Sequence, residues 1–489
     1  MFRLSLTLIT AALAHVSHAV DNEVENRSTV QSSIPDYCAT PLASYFDGKS
    51  RLTPDCIVQP RAAKEVATIV KVLTAASFLK RCQFAVRSGG HTPIPGANNI
   101  DNGVTIDLLY MNGTTYDPDT KLASISPAAR WGSVYETLEP LGRMVGGGRG
   151  STVGVGGFLL GGGISHYAPR IGLACDNVVN FQVVLASGLI VNANKKTNSD
   201  LFKALKGGNS NFGIVTRYDM ETFESEDLWG GIVTWPSSTV DQHFKALVNF
   251  GTDPNRDPNA ALIVFQGYST ATLADVVRAA FDYTKPVARP DAYKEFYAIT
   301  PNLTDTTKIQ PMSAIAAEFG SDTTKRVQFR TVSFKIDLAT LQETARLYKI
   351  LITEIQAKAS GDYRISCLSQ VWSTSYTANS TAKGGNVLGT ERYKENFIMY
   401  QSYLLWSEPK DDKLFMDLGL MLTNGIEKFA KSKGTLIDYL YLNYSDKDQD
   451  PLTGYGPENV KFMKKVATKY DPLGIYQNLL PGGFKISKV

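Results

Sequence analysis

The spacing of hydrophobic and polar residues changes several times along this chain, and each spacing predicts a different element. In residues 61–75 the apolar positions Val66, Ile69, Val70 and Leu73 fall on one helical face, which predicts an amphipathic helix. Short apolar or alternating runs predict strands at 83–88, 104–108, 121–126 and 212–218. Residues 178–187 and 189–193 predict a hairpin that turns at Ser187-Gly188, and Ser199 is expected to cap a helix starting at Asp200. The first half of the chain is therefore expected to be an α+β unit with small strands.

The pattern changes again at about residues 224–230, where glycine becomes rarer and longer helical periods begin. Residues 272–284 and 339–357 both have helical spacing. After residue 435 the run at 438–446 predicts a strand, and a helix is expected from Pro457 to about Tyr470. We therefore expect an inserted domain, residues 224–430, between two segments, 50–223 and 431–489, that together form one discontinuous domain.

Residues 146–163 are unusual because ten of the eighteen are glycine. This density argues against a helix, since each interior glycine costs roughly 0.5–1 kcal/mol relative to alanine. Apolar residues such as Val153, Val155 and Phe158 interrupt the run, so it is not typical of a flexible linker either. Glycines mixed with apolar residues indicate backbone that approaches another group closely. A dinucleotide-binding motif of the Rossmann type is rejected, because neither an apolar strand before the run nor a helix after it is expected.

Composition and charge exclude several classes of partner. The chain has 489 residues, 43% of them hydrophobic and 20% charged, with a net charge of +3. The basic residues are scattered, so neither nucleic acid nor a membrane surface is expected as a partner. The five cysteines include no Cys-x-x-Cys pair, and no metal site is expected.

The first residues predict export. Arg3 is followed by an apolar run, Leu4 to Leu13, that is too short to span a bilayer, and Ser17-His18-Ala19 ends it with small residues. We expect a signal peptide of residues 1–19 and a secreted or secretory-pathway protein. In that compartment a disulfide among Cys38, Cys56 and Cys82 is plausible, with its pairing left open. N-linked sugar is expected at some of the sequons Asn26, Asn112, Asn302 and Asn379, but not at the sequon Asn443.

Three histidines remain after this leader: His91, His166 and His243. His91 ends the run Arg87-Ser88-Gly89-Gly90-His91, a turn that exposes successive backbone N–H groups suited to a phosphate and that projects the imidazole. His166 follows a glycine run. The sequence is compatible with two alternatives for it, a place in a substrate pocket and a structural role. His243 lies in a helical stretch and is expected to be structural.

These runs together resemble a known family. VRSGGHTPIPG (86–96), GVTIDL (103–108), the glycine-rich run continuing to residue 178, DLFKALKGGNSNFGIVTRYDM (200–220), YLNYSD (441–446) and YDPLGIYQN (470–478) are similar to the FAD-binding enzymes of the vanillyl-alcohol oxidase and p-cresol methylhydroxylase type. The resemblance is closest to the fungal berberine bridge enzyme-like branch. It implies an α+β fold in which a two-part FAD-binding domain carries an inserted α/β substrate domain, an antiparallel sheet backed by helices.

The resemblance also implies residue roles. His91 matches the histidine that bonds covalently to FAD. Further cofactor-binding residues implied by the match are Arg87, Ser88, Gly89, Gly90, Thr92, Gly96, Ser151, Val153, Gly154, Gly156, Gly157, Phe158, Gly161, Gly162, Ile214, Val215 and Asn443. Some relatives attach FAD a second time through a cysteine before the Val-Gly-Val-Gly-Gly run. In this chain the positions just before that run are Gly150-Ser151-Thr152, with no cysteine. Phe158 stands where doubly linked relatives often have histidine. We therefore expect a single link.

The function implied is oxidation of a small-molecule, secondary-metabolite substrate by hydride transfer to FAD, with molecular oxygen as the expected reoxidant. An oxidative cyclase and a carbohydrate oxidase remain alternatives. A catalytic base is needed to take a proton from the substrate. Tyr441, Tyr444 and His166 are the candidates, with Tyr441 and Asn443 expected on the flavin-facing side of a strand.

Overall fold

The computed structural model describes residues 44–77, 82–320 and 325–489. The predicted signal peptide, Asn26 and Cys38 lie outside the described residues. Within those three ranges no helix is long and apolar enough to cross a membrane.

Strands and helices follow one another through both halves of the described chain. The strands are β1 Cys56–Val58, β2 Phe84–Arg87, β3 Val104–Asp107, β4 Thr114–Asp117, β5 Leu122–Ile125, β6 Arg143–Met144, β7 Val178–Val184, β8 Ile190–Asn194, β9 Ile214–Glu221, β10 Phe223–Glu224, β11 Leu228–Pro236, β12 Ala260–Ser269, β13 Ala274–Tyr283, β14 Thr304–Asp305, β15 Lys308–Gln310, β16 Arg326–Lys335, β17 Tyr363–Trp372, β18 Phe397–Trp406 and β19 Leu436–Ile437. The α-helices are Ala63–Ser77, Trp131–Leu138, Val155–Leu160, Ala168–Ile171, Ser199–Leu205, Val240–Thr252, Lys294–Tyr297, Met312–Glu318, Leu338–Lys358, Asp412–Lys433, Pro457–Tyr470 and Ile475–Asn478.

The first domain contains two main sheets. The shorter one is parallel, with the order β1-β3-β2. The other is antiparallel, with the order β4-β5-β9-β7-β8. The helix Ala63–Ser77 buries the predicted face of Val66, Ile69, Val70 and Leu73 in a core shared by both sheets. The predicted hairpin is the pair β7 and β8.

Residues after 457 pack on this first domain. The backbone N–H of Phe84 donates to the carbonyl of Leu479 at 2.7 Å. The hydroxyl of Tyr476 donates to the carbonyl of Val184 at 2.8 Å, and Asn211 Nδ2 donates to the carbonyl of Phe484 at 3.0 Å. Late and early parts of the chain therefore share one core, as a two-part FAD-binding domain requires.

The inserted domain is built on a nine-stranded sheet with the order β14-β11-β13-β12-β17-β18-β16-β19, in which β15 also pairs with β11. The helices Val240–Thr252, Leu338–Lys358 and Asp412–Lys433 cover one face and form a second core with it. Asp337 caps the second of these helices, because its carboxylate accepts from the backbone N–H of Thr340 at 2.7 Å. The opposite face of the sheet is turned toward the first domain. The α+β fold with an inserted antiparallel sheet backed by helices is thus confirmed.

Three predicted elements differ from the structure. Residues 272–284 form the strand β13 rather than a helix. In β13, Val277, Ala279 and Phe281 belong to the core under the helices, whereas Ala280 packs on the other face. Because both faces are apolar, the run lacks the alternation that identifies a half-buried strand and imitates helical spacing.

The run 438–446 is not a strand. Pairing ends after Leu436–Ile437, and Leu442–Tyr444 is a single 3₁₀ turn. The expected alternation of side chains therefore does not apply to Tyr441, Asn443 and Tyr444.

The glycine-rich run does contain a helix, Val155–Leu160, with Gly156 and Gly157 in its first turns. Its apolar residues Val155, Leu159 and Leu160 are buried, and this packing offsets the cost of the glycines. A smaller difference is that Ser199 is the first helical residue and Asn198 stands at the cap.

The domain boundaries at 223/224 and 430/431 stay predictions. The large sheet begins at β11 and its last strand is β19, which pairs with β16. The inserted sheet therefore includes Leu436–Ile437.

Candidate active site

A cavity of about 460 Å³ lies between the glycine-rich segments of the first domain and the uncovered face of the large sheet. Predicted residues that line it are Ser88, Gly89, Gly90, His91, Thr92, Val153, Gly154, Gly156, Gly157, Phe158, Ile214, Val215, Tyr441, Asn443 and Tyr444. These residues are far apart in sequence, and the fold brings them to one place.

The turn that carries His91 is held against the glycine-rich run. A Cβ added to Gly89 would lie 2.4 Å from the Cα of Gly154, and one added to Gly154 would lie 2.6 Å from the Cα of Gly89. Gly90 has a φ of +68°, a left-handed conformation that favours glycine. The turn and the run therefore touch through backbone alone, and a side chain at either Gly89 or Gly154 would separate them.

The imidazole of His91 faces the cavity and stacks on Phe46, with ring centroids 4.0 Å apart and an interplanar angle of 16°. Burial, followed by the positive charge of Arg130, lowers the pKa of His91 to about 3. Arg130 is held in place by donating to the carbonyl of Gly89 at 3.3 Å. The ring is therefore neutral at physiological pH and keeps a nitrogen lone pair available for bonding.

Gly157 is the glycine that opens onto the cavity. It is exposed, and a Cβ added there would meet no atom within 4 Å. Nearby glycines of the run serve packing instead: a Cβ on Gly147 would meet the Trp131 ring at 2.1 Å, and one on Gly148 would meet it at 2.4 Å. One part of the run therefore fills the core, and another leaves a flat backbone wall beside empty space.

The far end of the cavity is lined by Ile214 and Val215 of β9, and by Leu480, Gly483 and Phe484 from the last part of the chain. These five residues are apolar and come from both segments of the first domain, and the polar residues Asn209 and Ser210 line the cavity as well.

Six predicted site residues do not line the cavity: Arg87, Gly96, Ser151, Gly161, Gly162 and His166. Arg87 forms a buried ion pair with Asp107, Nη1 to Oδ2 at 3.2 Å, and supports the turn from behind. His166 is 1% exposed, and its Nδ1 lies 3.0 Å from Asp282 Oδ2 of β13, at the junction between the two domains. His166 therefore does not reach the cavity as a candidate base.

Two of the glycines among these six are packing positions. A Cβ on Gly161 would lie 2.0 Å from Asn443 Oδ1, and one on Gly162 would lie 2.9 Å from a methyl of Leu388. At Gly96 a Cβ would meet no atom within 4 Å, and its φ of +87° is what favours glycine there. The backbone of Ser151 is anchored to the carbonyl of Ala316 by its N–H at 2.9 Å.

Tyr441 and Asn443 hold one another in place. The hydroxyl of Tyr441 accepts from the N–H of Gly163 at 3.1 Å and from Asn443 Nδ2 at 3.0 Å. Asn443 Nδ2 also donates to the carbonyl of Phe158 at 3.1 Å. Burial, followed by the neighbouring Tyr444, raises the pKa of Tyr441 well above its ordinary value. The hydroxyl of Tyr441 therefore keeps its proton near neutral pH and is not free to accept another.

Tyr444 has a different environment. Arg149 Nη2 donates to its hydroxyl at 2.6 Å, and Arg149 Nη1 donates to Gln370 Oε1 at 2.8 Å. Of the two tyrosine hydroxyls, that of Tyr444 is the one bonded to a charged side chain, and it lines the cavity.

The sheet face supplies the opposite wall of the cavity. Its lining side chains come from several strands and are Ile232, Ile263, Phe265, Arg278, Phe329, Arg364, Ser366, Leu368, Gln401 and Tyr403. The wall is mainly apolar and aromatic, with a few polar groups, as is common for small-molecule sites. No group of His, Cys, Asp and Glu residues suited to a metal ion occurs in the part of the chain that the structure describes.

Comparison with known proteins agrees with this geometry. The profile of the FAD binding domain family matches residues 54–194. The FAD-dependent monooxygenase drtC of Aspergillus calidoustus is 40% identical over 450 residues, which cover 91% of this chain and 85% of that protein. The chain belongs to the family of FAD-dependent oxidoreductases that includes this relative.

Solved structures give the same fold at lower identity. The 6-hydroxy-D-nicotine oxidase of Arthrobacter nicotinovorans matches with a TM-score of 0.75 at 19% identity, over 93% of this enzyme and 98% of that chain. The glucooligosaccharide oxidase of Acremonium strictum, described with a 6-S-cysteinyl, 8α-N1-histidyl FAD, matches with a TM-score of 0.73 at 19% identity, over 96% and 98%.

The cavity fits the FAD that this family binds. The backbone wall at Gly157 leaves room for a flat ring, the turn Ser88–His91 lies beside it, and the apolar end at Ile214 and Val215 suits an aromatic base. A side chain on Gly157 would project into that room.

Sequence reasoning missed several lining residues. Arg149 is the single charged residue in the glycine-rich run, and that isolation is a usable signal. Phe46 has no such sequence signal, because the residues next to it in the chain do not indicate that its ring stacks on His91. The wall formed by the sheet depends on pairing between distant strands, which local patterns do not reveal.

Proposed function

We propose that the enzyme oxidises a small secondary-metabolite substrate by removing a hydride from carbon, with FAD joined to the chain through His91 alone. The observation that supports this most is the neutral imidazole of His91, which faces the cavity from a turn fixed by two glycines. Bound FAD supplies a two-electron acceptor. The electrons and two protons are then taken up by molecular oxygen, giving hydrogen peroxide.

The single link is supported by the sequence before the helix Val155–Leu160. Gly150, Ser151 and Thr152 stand there, and residues 146–163 contain no cysteine. The related glucooligosaccharide oxidase is described with both a cysteinyl and a histidyl link. His91 would then be the only covalent attachment, so flavin should separate from denatured protein that lacks this residue.

The test is to denature the purified enzyme and separate protein from small molecules. Yellow colour should stay with the protein, and mass spectrometry should find flavin on the peptide that contains His91 and on no other. In His91→Ala the colour should leave with the small molecules. Flavin that leaves the unsubstituted chain on denaturation would contradict the proposal.

The base that takes the proton is proposed to be Tyr444, assisted by Arg149. As hydride leaves a substrate carbon, the proton on the adjacent oxygen or nitrogen must move to an acceptor. The guanidinium of Arg149, 2.6 Å from the Tyr444 oxygen, supports that oxygen as acceptor. Tyr441 and Asn443 position the glycine-rich run rather than move a proton.

Oxygen insertion into the substrate, for which an external reductant would supply two electrons and the second oxygen atom would leave as water, is a second candidate, supported by the name FAD-dependent monooxygenase given to the relative from Aspergillus calidoustus. The two reactions differ in the fate of oxygen. Turnover under ¹⁸O₂ would place the label in hydrogen peroxide for the oxidase and in the organic product for the monooxygenase.

We also propose that the enzyme is exported and glycosylated. The support is the leader-like pattern of residues 1–19 and the exposure of the sequons Asn112, Asn302 and Asn379. The part-buried Asn443 uses its amide in two hydrogen bonds and is not expected to carry sugar. Sequencing the N-terminus of material collected from the culture medium tests this, since a start at Met1 would contradict it.

A further inference from the structure

Two arginines, Arg278 on β13 and Arg364 on β17, line the cavity on the sheet face. Both are half-buried. Among the residues that the structure describes, neither side chain has a carboxylate partner or a hydrogen-bond acceptor; Arg364 only lies over the Tyr403 ring, at 5.8 Å. The contrast is Arg330 on β16, whose Nη1 lies 3.4 Å from Asp446 and 2.5 Å from Asp448.

The register of the strands explains how the two side chains share one space. Arg278 stands opposite Phe265 on β12, and Arg364 stands opposite Ser269 on the same strand. Gly267 lies between Phe265 and Ser269 and lines the cavity without a side chain. The two long side chains therefore extend over a gap in the wall. Burial, followed by the charge of Arg364, lowers the pKa of Arg278, so the two cations are close enough to affect one another.

The cavity offers little negative charge to balance them. Glu318 is its only acidic lining residue within the described part of the chain. Its Oε1 accepts from Gln310 at 3.2 Å and its Oε2 from Thr306 at 3.4 Å. Two like charges held in a partly dry space are unfavourable unless a bound anion compensates them.

From this arrangement we propose that the substrate carries a carboxylate, which Arg278 and Arg364 bind on the sheet face of the cavity. The guanidinium group presents donors in a planar fork that matches the two oxygens of a carboxylate. The neighbouring side chains Phe265, Leu368 and Tyr403 provide an apolar and aromatic surface for the rest of an organic acid. Both arginines belong to the inserted sheet, whereas the turn Ser88–His91 that suits the cofactor phosphates belongs to the first domain.

The carboxylate fixes the direction in which the substrate lies. An acid bound at the sheet face turns its other end toward the wall of Gly157 and Tyr444. The proposal thereby names the substrate class of the oxidoreductase site proposed above, and it rests on that function only in treating this cavity as the place of the substrate.

The test uses isothermal calorimetry on the purified holoenzyme with three probes: 2-naphthoate, the neutral 2-naphthamide and 2-naphthyl phosphate. We expect 2-naphthoate to bind at least about tenfold more tightly than the amide, since hydrogen bonds to charged groups contribute the difference. Arg278→Gln and Arg364→Gln should each weaken 2-naphthoate about tenfold or more and leave 2-naphthamide unchanged. The matched control is Arg346→Gln, on an exposed helix face and paired with Glu343, which should bind both probes as the parent does.

Equal affinity for 2-naphthoate and 2-naphthamide in the parent enzyme would overturn the proposal, whatever the variants do. So would parental affinity for 2-naphthoate in both arginine variants, or tighter binding of 2-naphthyl phosphate than of 2-naphthoate. Calorimetry measures the binding of the probes and depends on neither flavin attachment nor turnover. A failure of the oxidoreductase function, seen as missing flavin on the His91 peptide, is therefore distinguishable from a failure of carboxylate binding.

Discussion

The two walls of the cavity are built in opposite ways. The wall from the first domain is backbone where the His91 turn meets the glycine-rich run: Gly89 touches Gly154, and Gly157 faces open space. The wall from the inserted domain is side chains, such as Phe265, Gln401 and Tyr403, standing on a regular sheet. A wall of backbone has a geometry that few substitutions tolerate and suits one constant cofactor, whereas a wall of side chains can be altered residue by residue and suits a variable substrate.

The largest expected effect comes from adding one methyl group to the backbone wall. In Gly89→Ala the new Cβ would lie 2.4 Å from the Cα of Gly154, and backbone cannot yield as a flexible side chain does. We expect the variant to lose flavin, measured as the ratio of flavin to protein absorbance. Gly113→Ala, where a Cβ meets nothing within 4 Å, should keep full flavin content. Full flavin content in Gly89→Ala would show that the backbone wall tolerates a substitution, which contradicts the comparison.

The next effect concerns the proton acceptor between the walls. Tyr444→Phe should slow flavin reduction about 10²- to 10⁴-fold, the usual contribution of a general base. Tyr441→Phe should slow it less, because that hydroxyl accepts from Gly163 and Asn443 instead of holding a proton in transit. Rapid-mixing absorbance across a pH series measures both, and parental rates in Tyr444→Phe would exclude this residue.

A smaller effect is expected on the sheet wall, where Gln401 points a polar side chain into the cavity. Gln401→Leu keeps the approximate size and removes the polar atoms. Flavin content should not change, and KM should change about 3- to 12-fold, as for one neutral hydrogen bond. A loss of flavin in this variant would show that the sheet wall also contributes to FAD binding.

The last effect concerns stability rather than the cavity and lies behind the sheet wall, at His243 in the helix Val240–Thr252. Its Nδ1 lies 2.9 Å from the carbonyl of Thr239, and burial lowers its pKa to about 4. The folded pKa is below the unfolded value of about 6.5, so the unfolded state binds more protons as the pH falls. The free energy of unfolding should therefore decrease between about pH 6.5 and about pH 4, by up to about 3 kcal/mol.

Denaturant unfolding across that pH range measures this loss, with His243→Leu as the matched variant. The variant removes the titrating ring, so its decrease over the same range should be smaller. The same pH dependence in both proteins would assign the loss to other groups.

The backbone wall can be predicted from sequence much better than the side-chain wall, for a physical reason. A turn such as Ser88-Gly89-Gly90-His91 is a local feature, since its glycines are required by the conformation of adjacent residues. The sheet wall is not local. The sequence of β13 predicts a helix because Val277 and Ala280 are apolar on opposite faces, and only the pairing with β11 and β12 decides its conformation. Likewise, nothing in the sequence near Arg278 indicates that Arg364 shares its space.

The closure of the cavity also orders events during synthesis of the protein. Leu480, Gly483 and Phe484 line the end beside Ile214 and Val215, and Leu479 receives the backbone hydrogen bond of Phe84. A ribosome that has reached residue 300 has made the turn and the glycine-rich run, but not the residues that close them in. Stable capture of the cofactor is therefore expected only after residues 480–484 have been made and packed beside Ile214 and Val215.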